Sequence, residues 1–190
     1  MIRAILLCAG SSSRFGSPKL LAPLSDGASL VIRSASSLME GAGNVLVVVR
    51  VGDGALHHVL VSAGCDVIES AAAARGMGAS LASAIAASAD ASGWIVALGD
   101  MPNIAPATHR AVLEAITDGA LLAAAVSSSK RERGHPVGFS RVLLDELLAL
   151  DGDEGARAVV ARHRDKLVEV PVDDPGIFLD VDTPADLPDS

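Results

Sequence analysis

Ile2-Arg3-Ala4-Ile5-Leu6-Leu7-Cys8 runs directly into Ala9-Gly10, so a short and almost wholly apolar segment stops at a small residue and a glycine. A run of this length, without polar alternation, reads as a strand buried on both faces. The pattern returns in Asn44–Val51, Asp66–Glu69, Trp94–Leu98, Leu121–Ser127 and Leu167–Val172. Between these runs lie stretches whose apolar residues recur at helical spacing: Ser29–Met39, Ala55–Ala63, Ser80–Ala89, Pro106–Thr117, Arg141–Leu150 and Gly155–His163. Ser29 ahead of Leu30 and Ser80 ahead of Leu81 are expected as helix caps, with Pro106 in a first turn. Regular alternation of strand and helix predicts an α/β fold, a mostly parallel sheet covered by helices on both faces. In such sheets ligands bind beyond the carboxyl ends of the strands, so chemistry is sought just after each strand.

At 190 residues, with no internal repeat and no break in composition, residues 1–190 read as a single domain. Half of the residues are hydrophobic but only 2% are aromatic, which leaves a core of Ala, Val, Leu and Ile. No apolar run approaches the length that crosses a bilayer, and the N-terminus has no signal-type apolar region, so a cytoplasmic protein without membrane partners is expected. The two cysteines, Cys8 and Cys65, stand at no metal-ligand spacing and read as reduced core residues. A net charge of −8 argues against a nucleic-acid partner, since such binding rests on neutralising phosphates. The charge is nevertheless uneven. From Met1 to Leu24 the charged side chains are Arg3, Arg14 and Lys19, whereas the last stretch carries Asp173, Asp174, Asp180, Asp182, Asp186 and Asp189.

The first strand leads into Gly10-Ser11-Ser12-Ser13-Arg14-Phe15-Gly16-Ser17-Pro18-Lys19. Small residues let backbone N–H groups approach phosphate oxygens, and Arg14 and Lys19 add positive charge there. The segment is neither a Walker A loop nor Gly-x-Gly-x-x-Gly, and a flexible Ser/Gly turn is the plain alternative. Trp94–Leu98 ends in Gly99-Asp100-Met101-Pro102, which puts one carboxylate at a strand end. Such a carboxylate holds a hard cation, or else makes a turn by bonding its own backbone. Asp180-Val181-Asp182-Thr183-Pro184 offers further carboxylates to the same ion, or a cap for a short final helix. Arg75-Gly76-Met77-Gly78-Ala79-Ser80 opens a helix and is expected to offer free N–H groups to a base or phosphate. Arg131-Glu132-Arg133-Gly134-His135-Pro136 precedes the apolar Val137-Gly138-Phe139 and stands at a loop-to-strand boundary, where His135, with two arginines nearby, would face an anionic acceptor, or simply belongs to a solvated charged hairpin.

In chain order these motifs, together with Gly152-Asp153-Glu154-Gly155-Ala156-Arg157, resemble the molybdenum-cofactor nucleotidyltransferases, most of all the cytidylyltransferase branch. The resemblance implies a Rossmann-like three-layer fold with a mixed, mostly parallel sheet, of the nucleotide-diphospho-sugar transferase type. It implies transfer of a nucleoside monophosphate, CMP from CTP, to the phosphate of a molybdopterin-type cofactor, with Mg²⁺ as the metal. By the same likeness Ala9, Gly10, Ser11, Ser12, Arg14 and Lys19 hold the triphosphate, and Gly78 and Ser80 lie against the base. Asp100 becomes the metal ligand with Asp182, favoured slightly over Asp180, and His135 and Pro136 line the acceptor side. A molybdoenzyme or its maturation factor would be the protein partner. Cys8 departs from the usual Ala, Ala79 from a frequent Ser, and the Gly-Pro-Leu-Ala-Gly turn of the guanylyl branch is absent. The rival readings are the same chemistry with GTP or another phosphorylated acceptor, and a nucleotide-dependent oxidoreductase or sensor. The oxidoreductase lacks its glycine motif here, and a sensor would have lost its carboxylates.

Overall fold

A computed structural model describes residues 1–8, 19–183 and 186. Among these residues seven strands form one sheet: β1 Ile2–Leu7, β2 Val45–Arg50, β3 Asp66–Ser70, β4 Gly93–Leu98, β5 Leu122–Ser127, β6 Arg133–Ser140 and β7 Leu167–Val172. Their order is β3-β2-β1-β4-β6-β5-β7, with β6 antiparallel to both neighbours and the other pairings parallel. Six helices connect them: α1 Leu30–Ala42, α2 Gly54–Ser62, α3 Met77–Ala87, α4 Pro106–Thr117, α5 Leu144–Leu148 and α6 Arg157–Arg162.

Strand β1 explains why the apolar runs are unbroken. Ala4 and Leu6 point to one face, where they meet Val31, Ala35 and Leu38 of α1, Leu56 and Leu60 of α2, and Val112 and Ile116 of α4. Ile5 and Leu7 point to the other, against Leu81, Ala84 and Ile85 of α3, Leu147 of α5 and Val159 of α6. With both faces covered, period-two alternation of polarity has no water to answer to. The result is the three-layer α/β arrangement expected from the sequence.

Three local readings are corrected. Strand β6 was visible only as the apolar Val137-Gly138-Phe139. Its Pro136, which has no N–H to donate, coincides with a register shift against β5 between Ala124 and Val126, where a strand tolerates proline. Ser29 precedes α1, but its hydroxyl makes no cap hydrogen bond. Ser80 does not cap α3 either. The helix begins at Met77, Ser80 is wholly buried within it, and its hydroxyl donates back to the Gly76 carbonyl at 2.9 Å. Pro106 does occupy the first turn of α4.

After β7 the chain returns to the carboxyl edge of the sheet. The Asp174 carboxylate accepts the Ala105 N–H at 2.9 Å and the Thr108 hydroxyl at 2.6 Å, so it satisfies donors at the start of α4 that the sequence supplied no local cap for. Farther on, the Val181 N–H donates to the Asp100 carbonyl at 2.9 Å. The Val181 side chain is buried with Leu24 and Leu30. Among the described residues, no helix is long and apolar enough to cross a membrane.

Candidate active site

Leu7 lies opposite both Val48 of β2 and Leu98 of β4, so the carboxyl ends of these three strands reach one level. Cys8, Arg50 and Asp100 therefore open on a common edge, and neighbouring strands about 4.8 Å apart spread them over about 10 Å. A cavity of ≈ 540 Å³ lies along this edge, lined among others by Lys19, Arg50, Met77, Ser80, Asp100 and Asp182.

Lys19 begins a 3-10 turn, Lys19–Leu21, and is buried. Its ammonium donates to Asp100 Oδ2 at 2.9 Å and to Asp182 Oδ1 at 3.3 Å. Burial pulls the Lys19 pKa down, but the hydrogen bond and charge of Asp100, joined by those of Asp182, outweigh it and leave the pKa above the ordinary lysine value. Asp100 is carried by the turn after β4, and Asp182 by the returning C-terminal segment. Two contacts set Asp182 in place. Val181 is pinned to the Asp100 carbonyl and buried, and the Asp186 carboxylate accepts the Asp182 N–H at 3.2 Å. Asp186 also accepts the Thr183 N–H and hydroxyl at 2.7 and 2.8 Å, the reach-back of a capping box. The cap contacts of this acidic segment thus fall to Thr183 and Asp186, while the Asp182 carboxylate meets Lys19.

A second cavity, of ≈ 590 Å³, adjoins the first and shares Leu7, Met77, Leu98 and Asp153 with it. Its other lining is largely apolar, with Val96, Val137 and Phe139 among it and Arg133, His135, Glu154 and Arg157 as polar groups. Burial lowers the His135 pKa. The charges of Asp100 and Asp180 and a hydrogen bond to the Val96 carbonyl oppose that shift without reversing it, and Arg157 adds to it. The ring is neutral at pH 7.

Of the residues singled out from the sequence, Lys19, Asp100 and Asp182 meet at one point, and Ser80 lines the same cavity. Asp180 is exposed and acts on His135 rather than joining the contacts of Lys19. Pro136 is buried in β6 outside the cavity linings, next to His135. The expectation of free amides at Gly78 and Ser80 fails. Gly78 N–H donates to the Gly152 carbonyl at 2.7 Å, and Ser80 N–H donates to the Gly76 carbonyl at 3.1 Å. Gly78 serves close packing instead, because a Cβ there would stand 2.6 Å from the Asp151 carbonyl oxygen. Ala9, Gly10, Ser11, Ser12 and Arg14 lie outside the described residues. Sequence reasoning gave no individual role to Arg50, Met77, Asp153 or Arg157, which line the two cavities, and took Arg133 only as charge near His135. Arg50 was findable, since it ends an apolar run beside the first strand.

The donors fit a hard cation. Asp100 and Asp182 converge closely enough to share one ammonium, and paired carboxylates are the ligands that Mg²⁺ and Mn²⁺ prefer. No group of three or more His, Cys, Asp or Glu side chains is poised around one ion among the described residues. An ion held by two carboxylates would keep its other positions for phosphate oxygens and water. Among the described residues lining the first cavity, Lys19 and Arg50 face Asp100, Asp153 and Asp182.

Known proteins give the geometry its setting. The MobA-like NTP transferase domain matches residues 4–167. Rv0371c from Mycobacterium tuberculosis H37Rv is similar at 30% identity and a TM-score of 0.83, with 97% of this chain and 94% of that one covered. The same protein in complex with manganese aligns at 28% identity and a TM-score of 0.80, covering 97% and 95%. A nucleotidyl transferase from Methanothermobacter, at 22% identity and a TM-score of 0.83 over 98% and 94%, shares the fold. No curated protein matches in sequence. With a family match over most of its length and that family's fold, the chain belongs to the MobA-like NTP transferases and is a nucleotidyltransferase.

Proposed function

We propose that this nucleotidyltransferase moves CMP from CTP to the terminal phosphate of a molybdopterin-type cofactor, with Mg²⁺ and with release of pyrophosphate. The observation that carries the reading is the Lys19 ammonium set between Asp100 and Asp182 at the carboxyl edge of the sheet. Beside it lies a second cavity whose arginines suit a phosphorylated acceptor. The manganese complex of Rv0371c supports a divalent ion, which Asp100 and Asp182 would hold here. Bound there, Mg²⁺ would supply positive charge to the phosphates as the leaving group departs.

The remaining chemistry falls to the chain's own groups. Lys19, and by resemblance Arg14, would bind phosphate oxygens and offset the charge that develops on pyrophosphate. An oxygen of the acceptor phosphate attacks the α-phosphorus in line. The bond to the bridging oxygen breaks, and its electron pair leaves with pyrophosphate. No protein nucleophile is needed, because the acceptor oxygen is already ionised near pH 7, so catalysis is positioning plus electrostatics. Ser80, on the α3 turn packed by Gly78, would wall the base. Arg133, His135 and Arg157 would hold the acceptor, with Pro136 shaping the strand beneath. The choice of CTP rests on the absent guanylyl-type turn. It is tested by following pyrophosphate release with each of the four NTPs, Mg²⁺ and a phosphorylated pterin. Preference for GTP, or activity only with a different acceptor, would replace this reading.

A further inference from the structure

The ammonium of Lys19 occupies the point on which Asp100 and Asp182 converge. We propose that Lys19 is a built-in stand-in for the divalent ion: it holds the carboxylate pair together in the resting protein and must swing to the phosphates before that ion binds tightly. Metal and nucleotide then load as one coupled event. The inference rests on the reading of Asp100 and Asp182 as the metal's ligands.

Three observations support a swap of cations rather than joint occupancy. The Nζ–O distances of 2.9 and 3.3 Å are those of direct ion pairs, and Mg²⁺ or Mn²⁺ binds carboxylate oxygens closer still. Two cations sharing the same oxygens would stand only a few ångströms apart and repel each other. The backbone at Lys19 is fixed, since its carbonyl accepts the Ala22 N–H at 3.0 Å and Ala22 in turn accepts the Leu30 N–H at 3.0 Å. Movement is therefore left to the four-carbon stem, which is flexible and ends in a compact charge. Finally, the lysine side chain is 11% exposed while those of Asp100 and Asp182 are 27% and 54% exposed, so an incoming ion meets the carboxylates before it meets the ammonium. A triphosphate that draws Lys19 off takes one positive charge away from Asp100 and Asp182, which raises their affinity for the ion. By linkage the ion raises the affinity for the triphosphate equally.

The test is Mn²⁺ binding without nucleotide, followed by calorimetry and by electron paramagnetic resonance, in the whole chain. Lys19→Met should bind Mn²⁺ about tenfold more tightly than wild type, within the usual range of such couplings. Lys19→Gln, which keeps a polar tip, provides the same comparison should the methionine variant fold poorly. The gain should vanish in Lys19→Met/Asp100→Asn. Arg50→Met is the control for the general field, since it removes another positive charge from the same cavity, and it should tighten Mn²⁺ by less than about threefold. Unchanged Mn²⁺ affinity in both Lys19 variants, or an equal gain in Arg50→Met, would overturn the swap. The underlying metal reading is checked separately in the wild-type background: if Asp100→Asn leaves the Mn²⁺ signal of the CTP complex unchanged, that reading fails and the swap falls with it.

Discussion

The two adjoining cavities share a wall yet treat their ionisable groups in opposite ways. In the first, Lys19 is buried, but two carboxylates compensate it, and the balance raises its pKa. In the second, His135 also feels the charges of Asp100 and Asp180, yet burial prevails and its pKa falls. Charge therefore persists at the first site by direct pairing, while the second sets a neutral imidazole beside Arg133 and Arg157. A site of fixed, paired charge suits a reaction in which negative charge builds on a leaving group. A site of neutral ring, apolar floor and arginines suits recognition of a body with an anionic end.

The sharpest way to break this division is Asp100→Asn. If the first cavity does the chemistry, turnover should fall by about 10² or more, as when a key charge-stabilising group is lost. Thermal unfolding should be little changed, because Asn keeps an acceptor for Lys19 and the Val181 contact uses the backbone carbonyl. The measurement is kcat across a Mg²⁺ titration, and near-normal turnover at low Mg²⁺ would remove the metal role. Lys19→Ala should come next, weakening binding of every NTP by about 10- to 100-fold in calorimetry. Unchanged affinity for all of them would detach the phosphates from this cavity. His135→Ala should act on the other side, raising the acceptor KM about tenfold while the NTP KM shifts less than twofold. An effect on the NTP alone would exchange the roles of the two cavities.

The fold was legible because the inner strands β1, β2 and β4, and β5 beside them, are largely buried and left nearly unbroken apolar runs, while the half-buried edge strands β3 and β7 still showed short apolar stretches between turns; six of the seven were located that way. Strand β6 was the exception. Its Arg133, Gly134, His135 and Pro136 line or border a cavity, and residues chosen for a ligand do not carry the apolar pattern of a strand. The site was legible where one residue speaks for itself at a strand end, as with Asp100. It was not legible where its construction is tertiary. The meeting of Lys19 with Asp182, 163 residues apart, depends on Val181 docking against Asp100 and on Asp174 tying the tail to α4, and neither contact leaves a local signal. Gly78 shows the reverse error. A glycine before a helix looked like an open amide for a ligand, and the space it leaves is filled by the Asp151–Gly152 backbone.

The smallest expected effect sharpens the comparison through pH. Lys19, with its pKa raised, contributes stability that is fully present below its ordinary value of 10.5 and is lost only in strong alkali, so the first cavity is silent across neutral pH. A histidine whose folded-state pKa is lowered behaves in the opposite sense: its contribution is complete above the ordinary value of 6.5 and is lost as the pH falls below it. His135 is not alone in this, since His109, buried in α4, is held at about 4 by desolvation against the pull of Asp174. That shift alone is worth up to about 3 kcal/mol, lost progressively between pH 6.5 and 4. The carboxylates with lowered values, Glu146, Asp151 and Asp186, give up their share only below their ordinary values of 4.5 and 3.8. The window from pH 5 to 6.5 therefore reports the histidines. Melting temperatures should be flat from pH 7 to 9 and fall through that window. His135→Gln, which retains a donor for the Val96 carbonyl but cannot be protonated, should lose less than wild type on acidification, by on the order of 2 °C. An acid loss identical to that of wild type would mean that the second cavity does not hold its histidine neutral by burial, and the contrast between the two sites would have to be drawn on other grounds.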